Sequence, residues 1–173
     1  MRATYPRLTA YLLATLMLVS CGGDGALGPV ADGTASIRAS GVVSASGEGV
    51  ALFQSASISG TNLFQVAVAP ASPSGAVWQL QIVRYAERPP VGTYQITELS
   101  SSSLDPTANF YYTVSGTMEM FAATAGTLTI TSSSATVVRG TFSFTAESTT
   151  NSARTVTVEG AFAARCPPGM TCL

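Results

Sequence analysis

The stretch Arg139-Gly140-Thr141-Phe142-Ser143-Phe144-Thr145-Ala146 decides the fold. Phe142 and Phe144 alternate with Thr141, Ser143 and Thr145, so one face is apolar and the other carries hydroxyls. A period of two is the mark of a strand with one face buried. Threonine suits the wet face, because its branched Cβ fits a pleated surface while its hydroxyl meets water. The same alternation extends in both directions. Val156, Val158 and Phe162 share a parity against Thr155, Thr157 and Glu159. Leu128 and Ile130 alternate with Thr127, Thr129 and Thr131. Further upstream, Trp78, Leu80 and Ile82 alternate with Gln79 and Gln81, and Phe64, Val66 and Val68 with Gln65 and Ala67. No window after about residue 35 shows a helical period. Strands with one apolar and one polar face pair antiparallel; buried parallel strands are apolar on both faces.

Turn signals separate these runs: Ala69–Gly75, Glu87–Gly92, Ser100–Thr107 with its Asp105-Pro106, Ser132–Ser134 and Ser148–Ala153. The count is eight to ten strands. The expected fold is all-β, an antiparallel β-sandwich or a closed barrel, over residues 34–165.

Composition excludes most chemistry. The chain has 173 residues with no lysine and no histidine, while Ser and Thr together number 43. Without histidine there is no Ser-His-Asp triad, Cys-His pair or His-based zinc site. Without lysine there is no Schiff base. The basic footprint of a nucleic-acid binder is missing. A pair of carboxylates could still hydrolyse glycosides. The acids available, Glu87, Glu98, Asp105, Glu119, Glu147 and Glu159, are scattered and read as solvated outer-face charge. Asp105 alone in its loop is a weak calcium signal, since calcium needs several converging oxygens. Tyr111 with Trp78 or Tyr85 would form a sugar-stacking platform. However, Trp78 shares the parity of Leu80 and Ile82 and reads as core, while Tyr85 falls on the opposite parity. The expectation is no catalytic residue, no cofactor and no metal: not an enzyme.

The N-terminus has a different composition. Arg2 and Arg7 precede an uncharged, mostly apolar run from Leu8 to Val19. About a dozen residues are too few to span a bilayer, which needs roughly 20, but they fit the apolar region of a signal peptide. The run closes on Leu18-Val19-Ser20-Cys21, which resembles the lipobox of bacterial lipoproteins. That resemblance implies cleavage between Ser20 and Cys21 and acylation of Cys21, hence an anchor in a membrane of the cell envelope. Two or three acyl chains hold stably where one holds weakly. The glycine-rich stretch Gly22–Pro29 reads as a flexible tether. By the same resemblance, Gly22 after the cysteine favours the outer membrane. The organisation read from sequence is a signal peptide over 1–20, a lipidated N-terminus and linker over 21–33, a β-domain over 34–165 and a tail over 166–173. Removing the leader leaves six arginines against nine acids. In an oxidising compartment Cys166 and Cys172 are expected to pair and close that tail.

A further pattern recurs: glycine, a small residue, then an apolar one. It stands as Gly92-Thr93-Tyr94, Gly116-Thr117-Met118, Gly126-Thr127-Leu128, Gly140-Thr141-Phe142 and Gly160-Ala161-Phe162. Glycine there marks turns, bulges or close approach of chains. The order Gly-Thr-Tyr, Gly-Thr-Leu-Thr-Ile-Thr, Gly-Thr-Phe-Ser-Phe-Thr over Gly92–Ala163 resembles a group of uncharacterised bacterial envelope lipoproteins. The resemblance implies a sandwich or barrel-like domain and supplies no activity. The functional expectation is a non-catalytic, lipid-anchored envelope lipoprotein, a binding or structural β-domain that contacts protein or glycan. The alternative is a barrel-type carrier of a small apolar ligand. A filled interior favours the first, a sizeable apolar cavity the second.

Overall fold

A computed structural model describes residues 29–58, 60–71, 77–98 and 104–172. Ser20 and Cys21 of the lipobox lie outside the described residues. Among the described residues nine strands follow in chain order: β1 (Thr34–Gly41), β2 (Ala45–Ile58), β3 (Thr61–Pro70), β4 (Val77–Arg84), β5 (Gly92–Thr97), β6 (Thr107–Val114), β7 (Thr117–Ser133), β8 (Val137–Ser148) and β9 (Asn151–Arg165). Eight of them close a ring in the order β1-β2-β3-β4-β6-β7-β8-β9 and back to β1, antiparallel at every step. Of the two expected architectures, the closed barrel is the one observed. The extra strand β5 lies end to end with β6 along one edge of the long β7. There β6 pairs with Thr117–Ala122 and β5 with Ala125–Ile130. Where β1 begins, β2 and β9 meet directly at Leu52 and Arg165, which closes the gap that the short β1 leaves.

Side-chain alternation sets the inner wall. Ala35, Ile37, Ala51, Phe53, Phe64, Val66, Val68, Leu80 and Ile82 are all at 0–1% exposure, as are Phe110, Phe121, Leu128, Ile130, Val158 and Phe162. An eight-stranded ring is just wide enough for side chains to fill or for one small ligand. Here the side chains fill it: a water-sized probe does not reach these groups from either side, so no ligand-sized void lies against them. Ring pairs on the same or neighbouring strands line the interior, with Phe53–Phe64 and Phe142–Phe144 at 6.1 Å and Phe110–Phe121 and Phe142–Phe162 at 6.4 Å between centroids. The recurring glycines make room for them. Phe142 lies opposite Gly160, Phe162 opposite Gly140, and Phe144 opposite Gly126. A Cβ on Gly160 would sit 2.8 Å from Phe142 Cε1 and 2.6 Å from the Ser36 carbonyl oxygen. At Gly160 and Gly140 the phenyl ring takes space that a side chain would need, while at Gly126 the backbone and Cβ of Phe144 and the Ser143 carbonyl do so.

The parity of β7 changes part-way. Phe121 and Ala123 face inward at odd numbers, Leu128 and Ile130 at even ones. The pairing with β8 slips between Ala123 and Ala125, so Thr124 is the extra residue of a bulge. A second slip between Ile130 and Ser132 carries β7 through Ser133. The connection expected at Ser132–Ser134 is consequently displaced, and the turn stands at residues 134–136. Ser134 Oγ accepts from the Val137 amide at 3.0 Å there.

The outer wall is hydroxylic and charged, with Arg38, Glu48, Glu147 and Glu159 among its threonines. A membrane-spanning barrel has the reverse arrangement, apolar outside. No helix among the described residues is long and apolar enough to cross a membrane. The upper end of the barrel carries the β1–β2, β6–β7 and β8–β9 turns. The lower end carries the N-terminal entry, the β4–β5 loop, the β7–β8 turn and the C-terminal tail.

Candidate functional site

The upper mouth is closed by polar groups on inward-facing positions. Glu119 shares the parity of Phe121, and Arg154 that of Val156 and Val158. Arg154 donates through Nε and a terminal nitrogen to the two Glu119 carboxylate oxygens at 2.8 and 2.9 Å. This fork spans from β7 to β9 across the end of β8, where Ser148 also hydrogen-bonds Glu119. The Arg154 guanidinium holds the Glu119 carboxyl below its ordinary range, against an opposing push from burial, and Glu119 in turn raises Arg154. Trp78 (buried) and Tyr112 (half-buried) continue the inner wall beside the pair, cross-strand from one another.

The lower end is organised by Arg84, which follows Trp78, Leu80 and Ile82 on the inward parity of β4. Its Nε donates to the Leu104 carbonyl at 2.9 Å and its Nη1 to the Glu87 carbonyl at 2.6 Å. The same guanidinium lies over the Tyr94 ring, 5.5 Å from its centroid, and Tyr94 Oη donates to the Pro90 carbonyl at 2.8 Å. The β4–β5 loop is thereby pinned at Glu87 and at Pro90, on both sides of Arg88. Between this loop and the β2–β3 hairpin opens a cleft of about 250 Å³ lined by Ser55, Ala56, Ser57, Asn62, Glu87 and Arg88. Arg88 Nη1 is buried without a hydrogen-bond partner, the one such side-chain atom among the described residues.

Both ends of the described chain are tied to this lower end. The Gly33 amide donates to the Ala163 carbonyl at 2.6 Å, and Arg139 pairs with Asp32 and donates to the Val30 carbonyl at 3.2 Å. Cys166 and Cys172 form a disulfide, and Cys172 is buried against the core with its sulfur 3.5 Å from the Phe53 carbonyl. The tail is thus a plug under β2.

Among the described residues the six acids singled out in the sequence do not gather into one cluster. Glu119 is engaged by Arg154 on the inner wall. Glu147 and Glu159 stand on the outer wall, opposite Ala122 and Thr155 and opposite Arg38 and Ser143. Four residues along the β8 ladder separate the two levels, roughly 13 Å at the rise of a strand, which exceeds the spacing that glycoside hydrolysis uses. Glu87 lines the lower cleft, and Glu98 and Asp105 are exposed. Among the described residues no three His, Cys, Asp or Glu side chains gather as a metal site. Trp78 is core and Tyr111 stands on the other face of its strand pair, though both border one shallow pocket with Val77 and Met118; Tyr85 is exposed beyond β4 and is not part of it.

Sequence reading missed the arginines. Arg84 and Arg154 both continue an apolar inward parity, and that was a usable signal: a charged residue at the inward end of a strand closes a barrel mouth. Nothing comparable announced Arg88. Comparison with family models, with curated proteins and with solved structures gave no match.

Proposed function

We propose that this chain is a non-catalytic, lipid-anchored envelope lipoprotein whose barrel acts through its outer surface, contacting protein or glycan. The observation that carries this reading over the apolar carrier is the filled inner wall. A carrier needs a cavity lined by the side chains that here pack on one another. The outer wall, hydroxylic with Arg38, Glu48, Glu147 and Glu159 among its threonines, supports contact of that kind. The anchor rests on the lipobox-like Leu18-Val19-Ser20-Cys21 and outer-membrane placement on Gly22, both from resemblance. The described chain enters the barrel at its lower end, ahead of β1. The upper mouth with Glu119 and Arg154 then points away from the bilayer.

Native mass spectrometry of the full chain, extracted from bacterial membranes in detergent, tests both parts. The expected species starts at Cys21, carries two or three covalent acyl chains, and is two hydrogens lighter for the Cys166–Cys172 bond. A chain that retains residues 1–20, or lacks acyl groups, overturns the anchor. A stoichiometric apolar molecule lost on denaturation overturns the contact reading and favours the carrier.

A further inference from the structure

The strand charges of the outer wall stand on one half of the barrel. Arg38, Glu48, Arg139, Glu147, Glu159 and Arg165 all belong to β1, β2, β8 and β9. On β3, β4, β5, β6 and β7 the charged residues are Arg84 and Glu119, and both follow the inward parity. The opposite half presents amides instead. Gln79 and Gln81 alternate with the buried Trp78, Leu80 and Ile82, while Asn109 and Tyr111 flank the buried Phe110. Strand alternation therefore points all four outward. The register sets them in two cross-strand pairs, Gln79 with Tyr111 and Gln81 with Asn109. The two rows are about 7 Å apart along the strands. Gln79 is exposed and the other three are half-buried. Among the described residues no hydrogen bond engages the side-chain amides of Gln79, Gln81 or Asn109. Beside them Val77, Thr113 and Met118 border, with Gln79 and Tyr111, a shallow recess of about 180 Å³.

We infer that this uncharged wall over β4 and β6 binds a neutral oligosaccharide. One sugar lays its C–H face on the Tyr111 ring, and its neighbour hydrogen-bonds through hydroxyls to the three amides. The inference rests on the outer wall being the contact surface and names its occupant. Three observations select that chemistry. Charged partners are steered and held by complementary potential, and this half offers no outward strand charge to a phosphate, an acidic glycan or a basic peptide. Each amide sets two donors beside an acceptor, which matches sugar hydroxyls that donate and accept at once and is wasted on a hydrocarbon. A protein partner, a second copy included, needs about 1,000 Å² with an apolar centre. Here the large exposed apolar side chains of β4 and β7, Val77 and Met118, are separated by Thr113. Such a surface suits the C–H face of one sugar and is too broken for that centre.

The test is nuclear magnetic resonance of the full chain with ¹⁵N-labelled glutamine and asparagine, in alkyl phosphocholine micelles, which carry no sugar. Maltohexaose, cellohexaose, the hexamer of N-acetylglucosamine and hexagalacturonate are titrated separately into the millimolar range. At least one neutral hexaose is expected to shift the Gln79, Gln81 and Asn109 amide signals saturably, and to bind tighter than hexagalacturonate. Tyr111→Ala should weaken that hexaose at least about tenfold. Gln79→Ala, at an exposed position that folding tolerates, should weaken it more modestly and guards against a destabilised Tyr111 variant. Glu147→Gln, on the charged half, should leave the affinity unchanged. Four results would each overturn the inference: no saturable shift with any neutral hexaose, tighter binding of hexagalacturonate, an affinity indifferent to both Tyr111→Ala and Gln79→Ala, or a dimer of the chain that buries Tyr111. A silent amide wall beside a protein partner held on the charged half would overturn it while leaving the outer-wall contact reading standing.

Discussion

Replacing Gly160 by alanine tests whether the phenyl-over-glycine pairing holds the barrel. The added Cβ would lie 2.6 Å from the Ser36 carbonyl and 2.8 Å from Phe142 Cε1, both nearer than real Cβ contacts allow. Overpacking of this kind costs about 1–3 kcal/mol, and a backbone oxygen in the ladder with β1 places Gly160 at the upper end of that range. Loss of glycine's freedom in the unfolded chain returns about 0.4–1 kcal/mol. The net expectation is destabilisation by about 2 kcal/mol, which lowers Tm by about 4–8 °C in a domain of this size. Phe142→Leu alone should cost about 1–2 kcal/mol by leaving space under β9. In the double variant the shortened side chain makes room for the new methyl, so the two losses should fall short of their sum by about 1 kcal/mol or more. Restoration should stay partial, because the Ser36 carbonyl does not move with Phe142. Urea unfolding followed by the fluorescence of Trp78, the chain's lone tryptophan and a buried one, provides the assay. The reasoning is refuted if Gly160→Ala is neutral or stabilising, or if the two substitutions add within about 0.5 kcal/mol.

Other expectations concern the mouths and the tail. Glu119 is held below its ordinary pKa by Arg154, so it contributes stability above the unfolded carboxylate range and loses it as pH falls through the lowered folded value. The Tm gap between the native chain and Glu119→Gln should therefore be widest at neutral pH and close on acidification below about pH 4; a gap that widens in acid contradicts this. Added salt should narrow the same gap at neutral pH, because the fork is half-exposed. Reducing the Cys166–Cys172 bond, whose partners are six residues apart, should lower stability by about 2 kcal/mol on loop-closure grounds. An unchanged urea midpoint under reductant would show that the tail plug contributes nothing. Deleting Thr124 would remove the bulge and turn Leu128 and Ile130 outward, at about 1.5–3 kcal/mol for each buried side chain lost. The deletion should not yield a folded barrel, whereas Thr124→Ala, which keeps the extra residue, should. Equal circular dichroism and equal urea midpoints for the two would sink the bulge argument.

Much of the fold was legible along the chain, because strand alternation is a local property: each residue's face follows from its number parity. Phe142 and Phe144, Val156 and Val158, Trp78 and Leu80 all stand on the faces their parity assigns. The excluded chemistries were equally legible, since missing histidine and lysine need no coordinates. Closure was not. A sandwich and a barrel have the same inward and outward pattern, and they differ only in whether the first and last strands of the ladder meet. That depends on β1 pairing with β9, residues more than a hundred positions apart, and on β2 meeting β9 where β1 begins. The Thr124 bulge was likewise invisible, because a change of parity within one apolar run reads as two strands or as noise until a partner shows the slipped register. The polar features follow the same rule. Glu119 and Arg154, and Arg88 and Ser57, are brought together only by the winding of the barrel. Composition and alternation, being local, determined what kind of wall this chain builds. Long-range pairing alone decided that the wall closes, that Gly140 and Gly160 lie under phenyl rings, and that a polar cleft opens between the β2–β3 hairpin and the β4–β5 loop at one end.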